Sequence, residues 1–124
     1  MARARKRRGR RRRRGSRVED MVASRYRRGG YRVAKHRIVK LRGTKGEIDI
    51  LAEKGRQRFA IEVKGGSQRI TAQMIRKIHS KAKAVHARPK LVYTRGRPTG
   101  PARTEAKRLG VDLKRITKGS AKSS

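Results

Sequence analysis

Two runs of alternating apolar and charged residues, "GEIDILAE" (46–53) and "RFAIEVK" (58–64), flank the break "KGRQ" (54–57). A period of two is what a β-strand needs when one face is buried and the other carries charge. A two-residue turn led by Gly55 and followed by Arg56 suits a type II′ hairpin. That turn dictates the register: Lys54 opposes Gln57, Asp49 opposes Glu62, and Glu47 opposes Lys64. Ile48 and Ile50 are expected to share one face of the first strand, with Glu47, Asp49 and Leu51 on the other. Phe59, Ile61 and Val63 share a face of the second, with Ala60, Glu62 and Lys64 opposite. Any fold for this chain must bury the apolar face of this hairpin, and that requirement organises the rest.

Upstream, Ser16 can cap a helix with Glu19 at capping-box spacing. Val18, Met21, Val22, Arg25 and Tyr26 form its stripe, and Gly29-Gly30 ends it. Residues 31–41, "YRVAKHRIVKL", read as a strand. Downstream, Gly65-Gly66-Ser67 opens a helix over 68–87 with Ile70, Met74, Ile75, Ile78, Ala82 and Val85 on one side. Residues 90–94 form a strand, 95–101 a loop, 102–109 a helix closed by Gly110, and 111–116 a last strand. The order is α-β-β-β-α-β-α-β. This is an α/β chain with a mixed central sheet flanked by helices, because helix-linked strands return in parallel. Three segments follow: a basic arm over 1–16, a domain over 17–117 and a flexible tail over 118–124.

Charge decides the partner class. The chain carries 40 Lys and Arg against 8 Asp and Glu, a formal net charge of +32. Such a field repels itself unless a polyanion neutralises it, and nucleic acid is the expected one. The arm supplies Arg5, Lys6, Arg7, Arg8, Arg10, Arg11, Arg12, Arg13 and Arg14, and Arg17 continues it onto the first helix. Its composition leaves it disordered until bound. Arg76, Lys77, Lys81 and Lys83 make the outer side of the second long helix basic. With three Tyr and one Phe, the chain lacks a base-stacking platform, so phosphate geometry and shape should be read rather than base edges. Cysteine is absent, which excludes disulfides and thiolate metal sites. No apolar run approaches the roughly 20 residues of a membrane span, and the arm has no apolar signal core. A cytoplasmic location is expected, at the nucleoid or the ribosome, with no membrane partner.

Four of the eight acids, Glu47, Asp49, Glu53 and Glu62, fall in the hairpin. Directly opposed carboxylates on neighbouring strands repel unless a cation sits between them. Asp49 and Glu62 are thus a candidate divalent-metal seat, and oxygen ligands favour Mg²⁺ or Mn²⁺. Lys64 lies on the face of Glu62 and can stabilise developing charge. The bland alternative is a half-exposed hairpin in which Glu47 pairs with Lys64 and Asp49 is solvated. Glu47 is expected to pair with a base, and Glu53, by the turn, to be solvated. His36 reads as isolated, and His79 and His86 as surface residues.

The pattern as a whole resembles the PD-(D/E)xK nuclease superfamily, most closely the archaeal Holliday junction resolvases and their small relatives. The resemblance rests on "GEIDILA" (46–52), "FAIEVKGG" (59–66) and the upstream "VEDMVASRYRRGGYRV" (18–33). It covers roughly residues 16–94, with an extension to 116. It implies a restriction-endonuclease-like αβββαβ core. It also implies a site in which Glu19 matches the helix glutamate, Asp49 the metal aspartate, and Glu62 and Lys64 the E-x-K pair. Ile48 stands where the superfamily usually has proline. Glu19 keeps its competing role as a helix cap, and Asp20 is the neighbour that can replace it. Two functions stay open. One is a Mg²⁺-dependent endonuclease on branched or structured DNA, working as a homodimer if it is a resolvase. The other is a non-catalytic structural RNA-binding protein, held by rRNA in the ribosome, that has recruited the fold.

Overall fold

The computed structural model describes residues 17–116. The expected arm over 1–16 and tail over 118–124 lie outside them. The first helix, α1, is described over 17–28. It stops where Gly29 N donates to Arg25 O and Tyr31 N donates to Tyr26 O. Strand β1 (Arg32–Leu41) follows, then β2 (Thr44–Lys54) and β3 (Gln57–Lys64). The chain continues through β4 (Arg69–Ile70), α2 (Ala72–Ala84), β5 (Arg88–Tyr93), β6 (Arg97–Pro98), α3 (Gly100–Leu109) and β7 (Asp112–Arg115).

Five strands form one sheet in the order β1-β2-β3-β5-β7. The hairpin half is antiparallel, while β3, β5 and β7 run parallel, joined through α2 and α3. Parallel neighbours need such crossovers. The sheet buries both faces. Val22 and Ala23 of α1 pack with Ile50, Ala52, Ile61 and Val63 on one side. Ile75, Ile78 and Ala82 of α2 and Ala102 and Ala106 of α3 pack with Ile48, Leu51, Ala60 and Leu91 on the other. Each fully buried aliphatic side chain contributes about 1.5–3 kcal/mol. Among the described residues, no helix is long and apolar enough to cross a membrane.

The hairpin register is the one counted from the turn from Lys54↔Gln57 through Ile50↔Ile61, but the expected Asp49↔Glu62 and Glu47↔Lys64 pairs beyond it are not formed. Gly55 takes φ +59 and Arg56 is not among the positive-φ residues, as a Gly-first turn requires. The face assignment of β2 differs from the expected alternation. Ile48 packs under α2 and Ile50 under α1, so the two do not share a face. The cause is local to Asp49. On the β1 side, pairing passes from Lys35↔Ile50 to Arg37↔Ile48 and skips His36 and Asp49. His36 adopts φ +56, a left-handed conformation that breaks the pleat. On the β3 side, the ladder ends at Ile50↔Ile61.

Two further boundaries are corrected. Gly65-Gly66-Ser67 does not open α2. Arg69 and Ile70 first pair in parallel with Arg97 and Pro98, and Thr71 then caps the helix through Oγ1, which accepts from Met74 N. Helix α3 likewise begins inside the expected 95–101 loop, with Thr99 as cap and Pro101 in its first turn. Gly96 permits this arrangement: a Cβ there would lie 2.2 Å from Gln68 O.

Candidate functional site

Four elements converge where β2 and β3 part. Helix α1 brings Glu19, β1 brings His36, β2 brings Asp49, and β3 brings Glu62 and Lys64. The Asp49 carboxylate accepts the backbone N–H of Val63 at 2.8 Å. Burial pushes its pKa up to about 6, with the Glu62 carboxylate adding to the rise, and the Val63 N–H and Lys64 only partly offsetting it. Ligand atoms of Glu19, His36 and Asp49 all lie within 4.8 Å of one another.

Glu19 has a side chain only 12% exposed, and its Oε1 lies 3.1 Å from His36 Nε2. That oxygen is buried without a well-directed hydrogen bond among the described residues, and so is Glu62 Oε1. Glu62 Oε2 is 3.2 Å from Lys64 Nζ, and Glu62 Oε1 is 3.7 Å from Lys81 Nζ. Underpartnered buried carboxylates are costly, and a divalent cation answers both the missing partner and the mutual repulsion. Carboxylates with an imidazole nearby fit Mg²⁺ or Mn²⁺, and an imidazole ligand favours Mn²⁺ over Mg²⁺.

The neighbours of the cluster sort the remaining candidates. Asp20 is exposed and pairs with Lys35. Glu47 pairs with His36 Nδ1 at 2.6 Å, not with Lys64. Glu53 pairs with its cross-strand neighbour Arg58 at 2.7 Å. Lys81, expected on the outer side of α2, turns inward, and its Nζ donates to Glu47 O at 2.8 Å. Arg17, Arg76, Lys77 and Lys83 are exposed, with Arg76 held by Glu105 at 3.2 Å. Arg5 to Arg14 of the arm lie outside the described residues, as does Ser16, the cap that would compete for Glu19.

The Mrr_cat family, described as restriction endonuclease, matches residues 11–118 of the sequence. The chain belongs to this restriction endonuclease family. It has the restriction-endonuclease-like fold of the PD-(D/E)xK proteins, and a solved protein of unknown function, AF1548, is similar to it. The two share 20% identity and a TM-score of 0.67 over 78% of this chain and 55% of that one. A repair endonuclease from Pyrococcus abyssi is similar at 12% identity and a TM-score of 0.55, over 70% of this chain and 38% of that one. The chain therefore spans about half or less of the length of these solved relatives. No curated protein matches it in sequence.

For this restriction endonuclease family member, His36 is the site neighbour that sequence reasoning missed. It has no local partner in "AKHRI", and its contacts are 17 and 11 positions away in sequence, at Glu19 and Glu47. No sequence signal within "AKHRI" reveals such an arrangement.

Proposed function

We propose that this protein is a divalent-metal-dependent endonuclease that hydrolyses phosphodiesters in branched or structured DNA. The observation that carries this reading is the convergence of Glu19, Asp49, Glu62 and Lys64 where the β2–β3 ladder ends. Family membership supports it, as does the likeness to a repair endonuclease. Asp49, Glu62 and Glu19 would hold Mg²⁺ or Mn²⁺, with His36 close enough to join them. A divalent ion there supplies Lewis acidity toward a phosphoryl oxygen and acidifies water. Glu62 orients Lys64 through its Oε2, leaving the ammonium to meet charge developing on the phosphate. Lys81, bonded to Glu47 O and close to Glu62, fixes the carboxylate from behind as a positioning residue. The arm and basic faces would grip the backbone without reading sequence.

The net charge of +32 also favours a second reading, a structural RNA-binding protein of the ribosome that keeps the fold without cutting. One experiment separates them. Purified protein is tested with Mg²⁺ or Mn²⁺ on four-way junction, duplex DNA and structured RNA, alongside Glu62→Ala and Lys64→Ala. The nuclease reading expects metal-dependent DNA cleavage that each substitution slows by about 10²–10³. Cleavage at the wild-type rate in both variants would overturn the site. No cleavage, together with salt-resistant co-sedimentation with ribosomes, would overturn the enzyme in favour of the second reading.

A further inference from the structure

Strands β3, β5 and β7 end together, in register from Lys64 to Tyr93 to Arg115. Beyond that edge lies a cavity of about 390 Å³ lined by Tyr93, Gly96, Arg97, Pro98, Arg103 and Arg115. Three of its six lining residues are arginines, and all three are exposed. None of them pairs with a carboxylate among the described residues. By contrast, Arg58, Arg76 and Arg108 do so, with Glu53 and Glu105. Every acid of the chain is already engaged elsewhere: Glu19 and Glu47 with His36, Asp20 with Lys35, Glu62 with Lys64, Asp112 with Lys90, and Asp49 with the Val63 N–H. The cavity is therefore a concave cationic site whose counter-ion the described residues do not supply.

Backbone contacts join the segments that line it. Arg97 sits beside Arg69 in the β4–β6 pair, and Thr99 N donates to Ile70 O at 3.0 Å. Arg103 lies in the first turns of α3, whose N-terminus adds partial positive charge at the same edge. In open α/β sheets, ligands bind outside the carboxyl ends of the parallel strands, and this cavity is placed there. Guanidinium groups match phosphate oxygens in geometry as well as charge.

We propose that Arg97, Arg103 and Arg115 form a phosphate subsite. It would hold a backbone phosphate of the same nucleic acid whose scissile bond lies at Lys64. The inference rests on the proposed nuclease reading for the identity of the ligand. Two strand spacings separate Arg115 from Lys64, about 10 Å. Phosphates recur about every 3.4 Å of helix axis along a strand and are displaced around it as well, so a separation of this size matches near-neighbour phosphates of one strand. The subsite thus fixes which phosphodiester reaches the metal cluster.

The test uses the full chain in EDTA, so that binding is read apart from cleavage. Fluorescence anisotropy with labelled duplex and four-way junction is followed against salt for the wild type and two triple variants. One is Arg97→Gln/Arg103→Gln/Arg115→Gln. The other is a charge-matched control, Arg32→Gln/Lys40→Gln/Lys107→Gln, with thermal unfolding confirming both folds. Each lost phosphate contact lowers the log–log salt slope by about 0.9, so the subsite triple should lower it by about 2 to 3 and the control by less than about 1. Equal losses in the two triples would overturn the subsite. Loss of inorganic phosphate binding in titration calorimetry, with the nucleic-acid salt slope unchanged, would overturn the backbone assignment. Because no metal is present, failure here is distinguishable from failure of the nuclease reading, which is decided by cleavage alone.

Discussion

The Asp49 carboxylate accepts the Val63 N–H at 2.8 Å, so a side chain of β2 occupies the place where a ladder bond to β3 would lie. The two strands part at the positions that carry Asp49 and Glu62.

Asp49 titrates high, up to about 6, from its ordinary value of 3.8. A raised folded pKa means the folded state binds the proton more tightly. Its stabilising contribution is full below about 4 and is lost as the pH rises through about 6. Metal-free protein should therefore lose stability across that window and change little above it, while Asp49→Asn flattens the profile. Binding of Mn²⁺ has the opposite trend: affinity rises by up to about tenfold per pH unit below 6, then levels. Thermal unfolding and calorimetric titration at pH 4 to 8 check both.

Glu62→Ala and Lys64→Ala should each lower the single-turnover cleavage rate by about 10²–10³, the usual scale for losing one preorganised charge-stabilising group. The double variant should lose little more than either alone, because Glu62 and Lys64 act as a unit. Circular dichroism should stay unchanged.

His36 holds a left-handed backbone in mid-strand, a strain of order 1–3 kcal/mol for a non-glycine residue. His36→Gly relieves it and His36→Ala does not, although both remove the contacts to Glu19 and Glu47. Glycine at 36 should be more stable than alanine by about 1 kcal/mol in urea unfolding. Both should weaken Mn²⁺ binding, and equal affinity in wild type and variants would remove His36 from the ligand set.

Gly96→Ala puts a methyl group 2.2 Å from Gln68 O, a backbone atom that cannot step aside. The β4–β6 pair must open, at about 3 kcal/mol, the upper end of overpacking costs. Urea midpoints read the loss, and nucleic-acid binding should weaken in step because Arg97 moves with β6.

Much of this was legible in the chain. The register from Lys54↔Gln57 to Ile50↔Ile61 follows from Gly55 alone, since a two-residue turn leaves no freedom in the pairing. The helix stops at Gly29-Gly30 and Gly110 were also readable, because caps are local chemistry. What was not legible is non-local. The split of Ile48 from Ile50 depends on the backbone of His36 in another strand. Strands β4 and β6, two residues each, are too short to carry a period. Thr71 was a readable cap, but the glycines before it marked the earlier break. At the site, Asp49, Glu62 and Lys64 stood out by alternation. His36 and the inward turn of Lys81 needed the fold.

Thr94 donates to Lys64 O through its backbone N–H and to Gly65 O through its hydroxyl, at 3.2 and 3.0 Å. The end of β3 is thereby clamped to β5, while its bond to β2 has already lapsed. A short seam thus opens at one end of the β2–β3 pair, beyond Ile50↔Ile61, with Asp49 on the lip that belongs to the antiparallel half and Glu62 on the lip that belongs to the parallel half. A cation shared by those two carboxylates would be a rivet across the seam, locking the halves of the domain as it readies the site. Loading would then stiffen the molecule along one line, and amide exchange at residues 61–64 would register it.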